Sequence, residues 1–151
     1  VDSKMLKFLT ACDEIWHAGD IGNLATVDEL KALKPVRAVF GNIDGNELRQ
    51  EFEKTLVFSV EGVKVIMTHI GGYPPKYAPG FKKLLSIEKP QIFISGHSHI
   101  LKVIYDKKHD FLHMNPGAAG ISGFHQMRTM LRFEIEGEKI ANLEIIEIGK
   151  K

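Results

Sequence analysis

"QIFISGHSHI", residues 91–100, joins a short apolar run to a glycine and to two histidines separated by one serine. Bounded by Pro90 and Gly96 and rich in isoleucine and phenylalanine, the run is too short for a helix and reads as a buried strand. A strand that stops at Gly96 delivers His97 and His99 to the rim of a sheet. There the strand fixes the loop while its side chains stay free to converge with others.

The same outline recurs upstream. Asp20 follows "DEIWHAG", Asn42 and Asp44 follow "VRAVFG", and His69 follows "VKVIMT". Glycine stands directly before the polar residue at Gly19, Gly41 and Gly96, where a tight turn and close backbone approach let that side chain be aimed inward. Four separated segments thus bring polar groups to strand ends.

The intervening stretches supply the rest of the architecture. Asp2 or Ser3 can cap a first helix carrying Met5, Leu6, Leu9 and Cys12 at helical spacing. "LATVDELKALKP" predicts a second helix, with Val27, Leu30 and Leu33 on one side and a stop near Pro35; a short polar helix starts near Asn46. "LVFSV" and "VKVIMTH" flank "EG" as a hairpin, and "GFKKLLSIEKP" forms a third amphipathic helix. "LKVIYD", "DFLHMN", "TMLRFEIEG" and "KIANLEIIEI" make the second half β-rich and mostly antiparallel. These elements predict a layered α/β domain with helices flanking sheets, one domain over residues 1–151.

Composition narrows the classes of function. With 151 residues and 44% hydrophobic content, one domain of this size buries roughly 70% of its unfolded surface. Twenty basic and nineteen acidic residues give a formal charge of +1, so no global field recruits nucleic acid or an anionic membrane. One cysteine, Cys12, cannot form an internal disulfide or a multi-cysteine zinc cluster. No run approaches the ~18 apolar residues of a membrane span, and "VDSKMLKFL" lacks a basic n-region and cleavage site. A cytoplasmic protein is expected, its oligomeric state open and a homo-oligomer included.

Asp20, Asn42, His69, His97 and His99 together form a mixed nitrogen and oxygen ligand set. Imidazole and carboxylate suit manganese, and also zinc, iron, nickel or cobalt; a carboxylate can bridge two ions through its two oxygens. The set suggests a dinuclear centre, whose ions ~3.5–4 Å apart activate a water and clamp a phosphoryl group. Singly, each residue has a plainer reading: His69 as a hydrogen-bonded loop residue, Asp20 as a turn residue or cap, Asn42 and Asp44 as a turn. Their shared rim and order favour the metal centre.

"HAGD", "GNID", "MTH" and "GHSH", in this order and followed by "MNPG", resemble the calcineurin-like metallophosphoesterase family, and within it the small prokaryotic YfcE-type phosphodiesterase branch. The resemblance implies a four-layer α/β/β/α sandwich. It also implies that Asp20 bridges two divalent ions, that Asn42, His69 and His97 complete one ion's site, and that His99 serves the other. The family begins with a strand ending in Asp-x-His, and none occurs in this sequence. We therefore expect a further strand upstream of Val1. At Ile43 many relatives carry a histidine that protonates the leaving group. General acid catalysis is worth ~10²- to 10⁴-fold, so slow turnover or a preference for good leaving groups is expected.

Two functions follow as expectations. The first is hydrolysis of a small phosphodiester or phosphorylated small molecule by hydroxide held at the two ions, manganese foremost, with His69 and Asp44 placed at the chemistry. The second is a catalytically silent scaffold that binds a protein partner, as some eukaryotic relatives of the family do. Asp44 can hold the Asn42 loop or a metal-bound water, its plainer reading being a local Asx turn. His17 either orients a ligand or is a plain strand residue. "IGGYPPKYAPG" has the length and glycines for a loop over the site, where Tyr73, Lys76 or Tyr77 could touch substrate, but reads rather as a solvated loop, and His125 and Arg128 read as surface residues that could reach a phosphate. His113 reads as a hydrogen-bonded sheet residue. "GHSHI" lacks the second glycine of a nucleophile elbow, and "GNIDGN" the Lys-Ser/Thr of a phosphate loop.

Overall fold

The computed structural model describes residues 1–151. Its elements run α1 (Ser3–Leu9), β1 (Ile15–His17), α2 (Leu24–Lys31), β2 (Val36–Ala38), α3 (Asn46–Glu51), β3 (Thr55–Val60), β4 (Val63–Thr68), β5 (Gly72–Tyr73), β6 (Lys76–Tyr77), α4 (Phe81–Glu88), β7 (Ile92–Ile94), β8 (Lys102–Asp106), β9 (Phe111–Asn115), β10 (Met127–Glu136) and β11 (Lys139–Lys150). A five-stranded sheet in the order β3-β4-β7-β9-β8 carries the core. Its three middle strands are parallel, and antiparallel partners close both edges.

Why β4 and β7 are apolar throughout follows from what covers their two faces. Val63, Val65, Met67, Ile92 and Ile94 point inward to one cluster, while Ile66 and Phe93 point outward to Leu85 of α4. A strand covered on both sides loses the alternation that marks a half-exposed one. Val63, Val65, Ile66, Met67, Ile92 and Phe93 have no exposed surface, each such side chain contributing about 1.5–3 kcal/mol through burial.

The second inner layer is divided. β1 and β2 form one parallel pair, and β10 and β11 a separate antiparallel hairpin. Trp16 ties them to the large sheet, its ring edge-on to Phe58 at 5.0 Å and to Phe133 at 5.5 Å. Between the pairs lies a cleft of about 650 Å³, floored by Met67, Ile94 and Met114 and walled by residues of β1 and β10. α2 and α3 cover the far side of β1-β2 through Val27, Leu30 and Leu48, the first and last clustered with Ile21 and Ala38. The layers are therefore α/β/β/α.

Local signals account for the helix ends. Asp2 Oδ1 accepts the Met5 N–H at 3.0 Å, and Asn23 Oδ1 accepts the Thr26 N–H at 2.9 Å, so both helices begin on side-chain caps. α1 buries no residue completely and is held by Arg128, which pairs with Asp2 at 2.7 Å and donates to the Ala119 carbonyl. Arg128 is thus an anchor for α1. "IGGYPPKYAPG" folds into the small hairpin β5-β6 where a solvated loop was expected. Tyr77 turns from its open end onto Phe93 and Phe111 and donates to Asp106.

Candidate metal centre

β1, β2, β4 and β7 end at one rim, and the loops that leave them carry the candidate ligands. Asp20, His97 and His99 have left-handed backbones, with φ of 56°, 71° and 62°. Such conformations are uncommon for residues with a side chain and persist where surrounding structure imposes them. Two glycines make the crowding possible. A Cβ on Gly19, itself at φ 103°, would lie 2.5 Å from His69 Nδ1, and one on Gly41 would collide with the backbone and carboxylate of Asp20.

Four of the five proposed ligands converge. Asp20, His69 and His97 offer ligand atoms that all lie within 4.8 Å of one another. His69 Nε2 is 3.1 Å from Asp20 Oδ2 and 2.9 Å from Asn42 Oδ1, and His97 Nδ1 is 3.1 Å from the same Asn42 oxygen. Across the ring, His69 Nδ1 sits 2.8 Å from the Ala18 carbonyl. That carbonyl can only accept, so Nδ1 carries a proton, and the neutral tautomer fixed this way keeps its lone pair at Nε2. A lone pair facing two oxygen acceptors at these distances is repulsive unless a proton or a cation sits among them. The donor set fits a divalent ion.

His99 stands to one side. Its ring packs edge-on to His125, with centroids 5.3 Å apart and planes at 89°. Burial lowers its pKa, the neighbouring His125 adds to this, and Asp20 opposes it.

Behind the ligands, Asp44 is buried and its carboxylate accepts three backbone N–H groups: Ile21 at 3.1 Å, Gly22 at 2.9 Å and Gly41 at 2.8 Å. Burial would raise its pKa, but these donors and His17 outweigh that and hold it below the usual carboxylate range. Asp44 clamps the Asp20 loop to the Asn42 loop. His17 Nδ1 accepts the Gly19 N–H at 3.2 Å, and burial, opposed by Asp44, lowers its pKa. Asp20 Oδ1 takes the Ile43 N–H at 3.1 Å, so one carboxylate oxygen fixes the loop while the other faces His69.

Exposed apolar side chains neighbour the candidate residues along the chain. Ile43 follows Asn42, Ile70 follows His69, Ile100 follows His99, and Phe124 precedes His125, all of them exposed. Beside His69 a cleft of about 260 Å³ opens between Phe40, Lys54 and Phe81. Tyr73 lies under the Lys102 ammonium, 4.8 Å from its ring, and its hydroxyl is 3.4 Å from Asn115 Nδ2.

Residues 1–138 match the calcineurin-like phosphoesterase superfamily domain. A probable metallophosphoesterase of Methanothermobacter thermautotrophicus is 30% identical over 135 residues, which cover 89% of this chain and 76% of that protein. The crystal structure of Vps29 complexed with zinc from Entamoeba histolytica superposes with a TM-score of 0.76 at 18% identity, over 99% of this chain and 91% of that one. An archaeal phosphodiesterase does so with a TM-score of 0.70 at 18% identity, over 95% and 90%. These two structures share the fold.

Proposed function

The chain belongs to the calcineurin-like phosphoesterase superfamily, and on that premise we propose that it is a metal-dependent phosphodiesterase working as one domain over residues 1–151. What supports this reading most is His69 Nε2 aimed at two oxygen acceptors while Nδ1 is committed to the Ala18 carbonyl. Asp20, Asn42, His69 and His97 would hold one divalent ion, manganese foremost, with zinc, iron, nickel or cobalt admitted by the same donors. Two such ions, when bound, supply Lewis acidity and bring a water's pKa toward about 7.

The chain's own residues do the rest. The Ala18 carbonyl fixes the His69 tautomer, as outer partners of ligating histidines do. Asp44 holds Asp20 and Asn42 in one frame. Ile43 offers no proton to a leaving group, so diesters with acidic leaving groups are the better substrates. The cleft beside His69 suits a small substituent, with Lys54 near a second negative charge. No helix is long and apolar enough to cross a membrane, and the single cysteine suits a cytoplasmic setting.

A second reading, a protein-binding module, is favoured by the exposed apolar side chains of Ile43, Ile70, Ile100 and Phe124. Hydrolysis of bis-p-nitrophenyl phosphate with added Mn²⁺ separates the two. The enzyme reading expects His97→Ala to abolish the rate. An unchanged rate refutes it and leaves the module.

A further inference from the structure

We propose that His125, facing His99, supplies a ligand for the second divalent ion beside Asp20. The inference deepens the function proposed above and rests on it for the first ion. His125 lies in the 116–126 connection after β9, and its Nε2 is 2.8 Å from the Gly120 carbonyl. Nε2 therefore donates, and Nδ1 keeps its lone pair. That Nδ1 is buried and has no hydrogen-bond partner. A buried acceptor left without a donor is costly, and ligation to a cation resolves it.

The pair repeats the geometry of the first site. His69 and His97 have centroids 5.2 Å apart at 77°, His99 and His125 5.3 Å apart at 89°. In each pair one ring is pinned by a backbone carbonyl at 2.8 Å, Ala18 for His69 and Gly120 for His125. Gly123, at φ 117°, keeps the space between the second pair open. A Cβ there would collide with His99 Nδ1 and lie 3.2 Å from His125 Nδ1, so both nitrogens border one small volume.

Packing alone also brings two rings edge to edge, and the test separates the two explanations. Metal-free full-length chain is titrated with Mn²⁺ and with Co²⁺ by calorimetry, and bound ions are counted after dialysis. The native chain binds two ions. His125→Ala and His125→Phe keep the first and bind the second at least about tenfold more weakly, the lower bound for losing even an outer partner of a ligand. The phenylalanine variant retains the ring contact, so it decides the matter should the alanine variant not fold. Native stoichiometry and affinity in His125→Phe overturn the proposal, as does a native chain that takes only one ion. Ions are counted without substrate; two ions with no diester hydrolysis refute the proposed function and leave this site standing.

Discussion

His69 and His113 are both buried on the same five-stranded sheet, one just past the end of β4 and the other inside β9. His69 has both ring nitrogens engaged, with the Ala18 carbonyl on one side and two ligand oxygens on the other. His113 has neither nitrogen hydrogen-bonded and sits among Tyr73, Tyr77 and Phe93, which corrects the hydrogen-bonded role expected for it. Burial does not separate a chemical histidine from a packing one. Position does: strand ends gather lone pairs from several segments, whereas a ladder position meets only its neighbours' side chains.

The largest effect that would break this contrast is catalytic. His69→Ala is expected to lower diester turnover by at least about 10³-fold, the several kcal/mol that Lewis acidity supplies. His113→Phe is expected to leave it within about twofold, read in the same Mn²⁺ assay. Equal losses in the two variants would erase the distinction.

The next effect concerns stability. Burial, reinforced by the Lys102 charge, pushes the His113 pKa from 6.5 down to about 4. The folded state then refuses a proton that the unfolded chain accepts. Stability is whole above pH 6.5 and declines as pH falls toward 4, by up to roughly 3 kcal/mol at 1.36 kcal/mol per unit. Urea unfolding across this range checks it: the slope flattens in His113→Phe. A smaller effect tests the rim's backbone. Gly41→Ala forces the Asp20 loop outward and is expected to cost about 1–3 kcal/mol through overpacking, visible in the same unfolding curves together with weaker Mn²⁺ binding.

How much of this could be read beforehand follows from the same contrast. β4 and β7 were legible because strands covered on both faces become continuous apolar runs, and Asp20, Asn42, His69 and His97 because each begins where such a strand stops. β5-β6 was not, since two-residue strands carry no periodicity. His125 was expected at the surface or on a phosphate, and Arg128 likewise. Yet Arg128 is spent on α1, while His125 is turned inward by a loop whose path depends on Gly120 and Gly123 rather than on any repeating pattern. Gly123 beside the imidazoles was the available signal, of the kind already noted at Gly19 and Gly96. The Ala18 carbonyl leaves no trace in side-chain identity.

The separation of β1-β2 from the five-stranded sheet has a mechanical consequence. Asp20 and Asn42 ride on the loops after β1 and β2, His69 and His97 on those after β4 and β7, and no strand ladder joins the two sets. An ion coordinated by all four is then a cross-link between layers, welding a seam that side-chain packing alone would hold. Occupancy becomes rigidity: free ion at a hundred times its dissociation constant adds about 2.7 kcal/mol to the folded state.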